Sequence, residues 1–218
     1  MGWIVGLAAL LSIAWPLPES VRRESAVRSL RVTDRNGILL RELRPDGRGT
    51  PVALSDVSPH AVDALIAIED RHFYRHPGVN PLAVLRAARD NIRAGRVVSG
   101  GSTITMQVAR ALGGSDARTL ASKLAEAHLA FRLEVRLSKQ EILEQWLNRG
   151  YFGNQAYGIE AAARTYFGKG ARDLTPAEAA YLVGLPQNPT GFDPYRFPDA
   201  ARRRQRQVLE ALATADVL

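Results

Sequence analysis

From Ser58 onward the chain carries helix start and stop signals in close succession, and this punctuation limits its fold more than any other feature. Ser58-Pro59 and Asn80-Pro81 each put a capping side chain before a proline, whose missing N–H costs nothing in a first helical turn. Ser138-x-x-Glu141 and Thr175-Pro176-Ala177-Glu178 read as capping boxes, in which hydroxyl and carboxylate each satisfy the other residue's backbone donor. Gly95 and Gly113-Gly114 supply stops, and Ser102 is expected to cap the helix that ends at the latter pair. Apolar residues recur at helical spacing between these signals. Leu65, Ile66 and Ile68 share part of one face, and Leu82, Leu85, Ala88 and Ile92 are expected to face inward. A long helix from about Ala117 carries Leu120, Leu124, Ala127 or His128, Phe131 and Val135; Ile142, Leu143, Trp146 and Leu147 come after the first capping box. Further helices are expected over 159–166, 179–185 and 200–212. Upstream, two short alternating runs flank Asn36-Gly37 and predict a β-hairpin within 27–43, succeeded by a polar loop over 44–50. The fold class is therefore mainly α, with a small N-terminal β-hairpin. The chain ends in or just after a helix and reads as an excised domain.

Composition narrows the chemistry. The 218 residues suffice for one substantial domain, and 46% hydrophobic content supports a real core. A net charge of +7 comes from scattered arginines and suits nucleic acid, anionic lipid or a phosphorylated substrate. No nucleic-acid-binding signature accompanies it. The absence of cysteine excludes disulfides, thiolate metal sites and a cysteine nucleophile. His60, His72, His76 and His128 lack the His-Glu-x-x-His arrangement of a zinc hydrolase. Residues 1–18 carry no charged side chain and fall slightly short of the roughly 20 residues that cross a bilayer. Trp3 and Trp15 lie near the two ends, as interfacial anchors do. A membrane anchor is the first reading. A signal peptide lacks its basic leading region here, and a buried core helix is the third reading. Arg22, Arg23 and Arg28 pull against export of the chain downstream of them.

Four clusters could carry chemistry. Glu69 and Asp70 lie between Leu65-Ile66 and Phe73-Tyr74. An arbitrary Glu-Asp is a solvated pair, but a carboxylate against apolar walls becomes a more effective base. Adjacent helical positions point about 100° apart, so the two carboxylates cannot share one task. Gly100-Gly101-Ser102-Thr103 lacks the lysine of a nucleotide phosphate loop, yet a helix start still offers amide donors to an anion. Thr103, Gln107 and Arg110 continue along one face, either as a plain polar surface or as a sugar-phosphate binder. Lys123 and Glu126 are either a solvated helix pair or a second carboxylate beside a cation that meets pyrophosphate. Between Asn148 and Lys169, glycines alternate with Tyr151, Phe152, Tyr157, Tyr166 and Phe167, as turn and core packing or as a sugar-stacking wall.

Together these segments resemble the peptidoglycan glycosyltransferases, glycosyltransferase family 51, the transglycosylase domain of class A penicillin-binding proteins. The resemblance covers about 34–204. Glu69-Asp70-Arg71-His72-Phe73-x-x-His76-x-Gly78 resembles the family's first motif and 100–107 its second. Lys123-x-x-Glu126 resembles the third, and Ile142-Leu143-Glu144-x-Trp146-Leu147-Asn148 the fourth. Glu178-Ala179-Ala180-x-Leu182-x-Gly184-Leu185-Pro186-x-x-Pro189 resembles the fifth. Met106 and Ser122 stand where many members have Gln and Arg. Met106 with Gln107-Val108-Ala109-Arg110, and Leu185-Pro186-Gln187-Asn188-Pro189, are most similar to the 1C branch. Ser122 removes one cation from the expected phosphate cluster. The Ser-x-x-Lys motif of a transpeptidase does not accompany these motifs.

The resemblance implies a lysozyme-like helical glycosyltransferase domain over 51–218, after an anchor at 1–18 and a linker with hairpin at 19–50. Within it, a membrane-dipping jaw at about 78–98 would offer Leu82, Val84, Leu85, Ile92, Val97 and Val98 to lipid. Glu69 would be the catalytic base and Glu126 a second essential carboxylate. Asp70, Phe73, His76, Ser102, Thr103, Gln107, Arg110, Lys123 and Asn148 would bind substrate. The partners implied are lipid II, the growing glycan strand, the membrane and other cell-wall synthesis proteins, with no nucleic acid. The place implied is the bacterial inner membrane, with the catalytic domain on the periplasmic side. No tightly bound cofactor is expected, although Mg or Mn could accompany the pyrophosphate near Asp70 or Glu126. Two other readings share these features: a lysozyme-like peptidoglycan hydrolase, and a non-catalytic lipid- or glycan-binding module.

Overall fold

Most helix signals read from the sequence become helices in the computed structural model, which describes residues 17, 30–37, 39–43, 50–96, 100–113 and 119–215. The expected anchor at 1–18 (Leu17 apart), the loop at 44–49, Val97, Val98 and the helix start near Ala117 lie outside the described residues. Among those described, eight α-helices accompany one hairpin. Strands β1 (Leu30–Thr33) and β2 (Leu39–Leu43) pair antiparallel, with Leu30 opposite Leu43 and an irregularity between Val32 and Thr33. The Gly37 amide closes the turn onto the Asp34 carbonyl at 3.1 Å. No helix among the described residues is long and apolar enough to cross a membrane.

The chain forms two compact units. One is built on His72–Ile142; the other combines described residues of Glu24–Arg71 with Leu143–Leu218. In the second unit, α1 (Pro59–Glu69), α7 (Pro176–Gly184) and α8 (Pro198–Thr214) pack on one another. Their facing residues are mostly small: Ala61 and Ala64 on α1, Ala179 and Ala180 on α7, Ala201 on α8, all buried. Small side chains let helix axes approach, and Leu65, Leu182, Val208 and Leu212 fill the remaining space. This unit also holds α6 (Ile159–Phe167) and the later residues of α5 (Lys139–Arg149), which bury Leu143, Trp146 and Leu147. Thr175 and Glu178 form the expected capping box. Ser58 does not cap α1; its hydroxyl donates to the Leu174 carbonyl at 2.8 Å and ties the helix start to a distant turn.

The first unit contains α2 (Pro81–Ala94), α3 (Ile104–Gly113) and α4 (Leu120–Glu134), with α3 packed on α4. One inward face expected from the sequence is corrected here. On α2, Leu82, Leu85 and Ile92 are 76%, 66% and 81% exposed, Ala88 is exposed too, and the buried residue is Ala87. The helix also comes close to the glycine segment, where a Cβ on Gly101 would lie 2.8 Å from the Val84 Cα. On α4, Leu120, Leu124, Phe131 and Val135 are exposed and the helix turns Ala130 and Leu133 inward. Each large aliphatic left in water forgoes about 1.5–3 kcal/mol of burial.

The loop at 72–80 is tied down through Gly78, whose φ is +92°. A Cβ there would meet the Glu134 Cγ at 2.9 Å and the Ala130 carbonyl oxygen at 3.0 Å. Gly78→Ala is expected to lower unfolding stability by about 1–3 kcal/mol, from backbone strain and this clash together. Urea or thermal unfolding of the variant against the parent measures it.

Candidate active site

In the second unit, Glu69 is the last residue of α1, and its Oε1 accepts from the Arg204 guanidinium on α8 at 3.2 Å. Both side chains are withdrawn from water, at 18% and 8% side-chain exposure. Burial lowers the Arg204 pKa from its ordinary value, and the Glu69 charge opposes that shift. Asp70 is buried and serves as the C-cap of α1, its amide bonded to the Ile66 carbonyl at 3.1 Å. Asn148, expected to bind substrate, also has a structural task. Its Oδ1 accepts from the Val52 amide at 3.0 Å and its Nδ2 donates to the Val52 carbonyl at 2.9 Å, pinning that segment as a strand would. Glu144 extends the clamp by accepting from the Leu54 amide at 2.8 Å.

In the first unit, Glu126 on α4 is held between two cations. Its Oε1 accepts from Arg110 Nε at 2.8 Å, and its Oε2 from Arg110 Nη2 at 3.1 Å and Lys123 Nζ at 2.9 Å. Lys123 also donates to the Ser102 hydroxyl at 2.7 Å, which draws the glycine segment before α3 onto α4. Arg110 and Lys123 are 47% and 39% exposed while Glu126 is 10% exposed, so the cations face solvent and the carboxylate lies beneath them. Burial acts to raise the Glu126 carboxyl, but hydrogen bonds and charge from Arg110 and Lys123 outweigh it and leave its pKa below the ordinary value. Gln107 is half-buried on the same helix as Arg110.

Three expected substrate residues in this unit are buried: Thr103, Phe73 and His76. Thr103 is buried, donates to the Gly78 carbonyl and accepts from the Met106 amide at 3.1 Å, so Thr103 rather than Ser102 starts α3. Phe73 is wholly buried beneath the Lys139 ammonium, which lies 4.3 Å from its ring centroid. His76 is buried with its ring edge-on to Phe73. Ser122 acquires a role in place of the missing cation. It is the third residue of a capping box with Thr119, each side chain accepting from the other's backbone amide at 3.1 Å, and so it starts the helix that carries Lys123 and Glu126.

The aromatic stretch divides. Phe152 is core, edge-on to Trp146, whereas Tyr151 and Tyr157 face each other at 4.6 Å and stay partly exposed. Burial pushes the Tyr166 hydroxyl up to about 12 while it donates to the Phe152 carbonyl. For a divalent cation the donor set is poor. Such ions want several oxygen ligands, both Glu126 oxygens already accept from cations, and no group of three or more His, Cys, Asp or Glu among the described residues could hold a metal.

Sequence reading missed Arg204. It sits among Arg202, Arg203 and Arg206 and looks like part of a solvated basic face. The signal was its spacing, since Ala201, Arg204, Val208 and Leu212 form the buried stripe of α8.

Each unit thus carries a carboxylate withdrawn from water beside a cation, a group that can take part in acid–base chemistry. Comparison with known proteins agrees: the model of the transglycosylase family matches residues 36–213, and the chain belongs to that family. It is 47% identical over 167 residues to penicillin-binding protein 1C of Escherichia coli (strain K12), covering 77% of this chain and 22% of that protein. It is 38% identical over 207 residues to penicillin-binding protein 1A of Pseudomonas aeruginosa, covering 95% of this chain and 25% of that one. The solved structure of penicillin-binding protein 1A from Haemophilus influenzae aligns with a TM-score of 0.44 at 24% identity, over 85% of this chain and 18% of that one. The chain thus spans about a fifth to a quarter of the length of the curated relatives it matches.

The depressed Glu126 carboxyl gives a pH prediction. Such a group contributes stability above its unfolded-state pKa and loses it as pH falls through the folded value. Coupling between Arg110→Ala and Glu126→Gln in a double-mutant cycle of thermal melts is expected in full at neutral pH. It should fade in acid, as pH drops below 4.5 through the lowered folded value.

Proposed function

We propose that the chain is a peptidoglycan glycosyltransferase that polymerises lipid II, a lipid-linked disaccharide-pentapeptide, into glycan strands. The Glu69 carboxylate takes the proton from the 4-hydroxyl of the acceptor's N-acetylglucosamine. That oxygen attacks the anomeric carbon of the lipid-linked muramyl sugar with inversion, the bond from that carbon to the phosphate oxygen breaks, and undecaprenyl pyrophosphate leaves with its charge. Lys123 and Arg110 meet that charge. The observation that carries this reading is the arrangement of Glu126 beneath two solvent-facing cations. An ammonium has three donors, more than Glu126 and Ser102 take from Lys123. Glu126 holds both cations in place, and no step is routed through a metal.

A lipid-linked substrate places the enzyme at a membrane, and the outward Leu82, Leu85 and Ile92 of α2 are a surface that lipid would cover. The corresponding location is the bacterial inner membrane with this domain on the extracytoplasmic side, where the growing strand and other cell-wall synthesis proteins are its partners.

The test is a gel of glycan products made from lipid II, with and without a chelator. The parent is expected to give a ladder of strands, and Glu69→Gln to lose about 10²–10⁴-fold in rate while keeping its fold. Unchanged turnover in Glu69→Gln removes that residue from the chemistry. Release of soluble fragments from purified cell wall, with no ladder, would instead identify a hydrolase. Loss of product with chelator would assign a cation brought by the substrate.

A further inference from the structure

We propose that Arg204 is a positioning residue for this reaction, holding the Glu69 carboxylate in the orientation from which it accepts a proton. The inference rests on reading Glu69 as the base. Arg204 lies at the centre of the second unit, only 7% exposed. Its three nitrogens bond to three different parts of the chain. Nε donates to the Gly184 carbonyl at the end of α7 at 3.3 Å, Nη1 to Gln207 Oε1 on α8 at 3.4 Å, and Nη2 to Glu69 Oε1 at the end of α1 at 3.2 Å. A guanidinium is planar, so two fixed donors set the direction of the third. Gly184 is part of the device, because a Cβ there would lie 2.9 Å from Arg204 Cγ and force the side chain out of its track.

Glu69 needs such a partner. It is the final residue of α1, where the carbonyl end of the helix repels a carboxylate and would turn it outward. A long side chain there also has rotamers to lose before it can act from one position. The cation draws the carboxylate back and selects one geometry. A buried arginine neutralised only for the sake of folding would show itself in stability alone. A positioning role separates from that in the kinetics, because misplacing a reacting group by about 1 Å costs about 10²-fold in rate.

The experiment uses the whole chain with lipid II as substrate, and compares the parent with Arg204→Met, Arg204→Lys and Glu69→Gln in polymerisation kinetics and thermal unfolding. Arg204→Met is expected to fold, to lose about 10²-fold in kcat, and to keep KM within about 3-fold. Arg204→Lys should fall between it and the parent, since an ammonium restores the charge without the rigid fork. Added guanidinium ion should recover part of the kcat of Arg204→Met. A folded Arg204→Met variant with parental kcat overturns the proposal, as does a loss that appears wholly in KM. If Arg204→Met does not fold, Arg204→Lys decides: reduced kcat with parental KM supports the role, parental kcat overturns it. Failure of both to fold overturns it too, because the pair then serves stability alone. Full turnover in Glu69→Gln defeats the reading of Glu69 as base, whereas an inactive Glu69→Gln beside a fully active Arg204→Met defeats the role of Arg204 alone.

Discussion

A guanidinium taken out of water must find acceptors and an opposite charge, and breaking such a buried pair costs about 3–5 kcal/mol. Arg204 meets that demand by drawing on the ends of α1 and α7 as well as its own helix α8. The three helices of the second unit are therefore joined by a polar centre as well as by the small residues that let them pack closely. The requirement fixes Gly184, whose missing Cβ leaves the track for the arginine stem. It also fixes where the carboxylate at the end of α1 points. Stability of this unit and placement of its proposed base thus share one interaction.

The first unit obeys the same logic with different groups. Its loop at 72–80 has little regular structure, and buried polar ties hold it. Thr103 takes the Gly78 carbonyl, and Lys139 bridges the His76 carbonyl at 2.8 Å and the Glu134 carboxylate at 2.8 Å. Glu134 accepts from Thr105 as well, at 2.6 Å. These ties join the loop, α3, the end of α4 and the start of α5. Nearer the start of α4 the pattern reverses: Arg110 and Lys123 are left at the surface above Glu126, where an anion can reach them. Buried ties make the scaffold rigid, and the exposed cations stand clear of it.

Helix existence was legible from local rules because caps and prolines act within a few residues. Thr175 with Glu178 and Ser138 with Glu141 form the bonds their spacing required. The motifs also marked Glu69, Lys123 and Glu126, each of which meets an opposite charge, although the sequence left open whether Lys123 and Glu126 were only a solvated pair. Faces were harder to read. The apolar stripe of α2 runs through Leu82, Leu85 and Ile92, yet the buried side is the one bearing Ala87. Hydrophobic periodicity says that a helix is two-faced; it does not say that the apolar face is covered by protein. The bonds that Thr103 and Asn148 make to distant backbone, and the burial of Phe73, could not be read from the sequence.

The sequence alone determined the helical class, the positions of caps and stops, the order of the motifs and the charge available to meet a phosphate. These depend on neighbours within a turn or two, or on composition, so no three-dimensional information is needed. Tertiary structure decided that one arginine among several on α8 is buried against Glu69, that Ser122 serves a helix start rather than a phosphate, and that the asparagine at 148 holds backbone. Each of those outcomes requires groups from separate stretches of chain to meet. A charged or amide side chain reads the same in sequence whether it faces water or a buried partner.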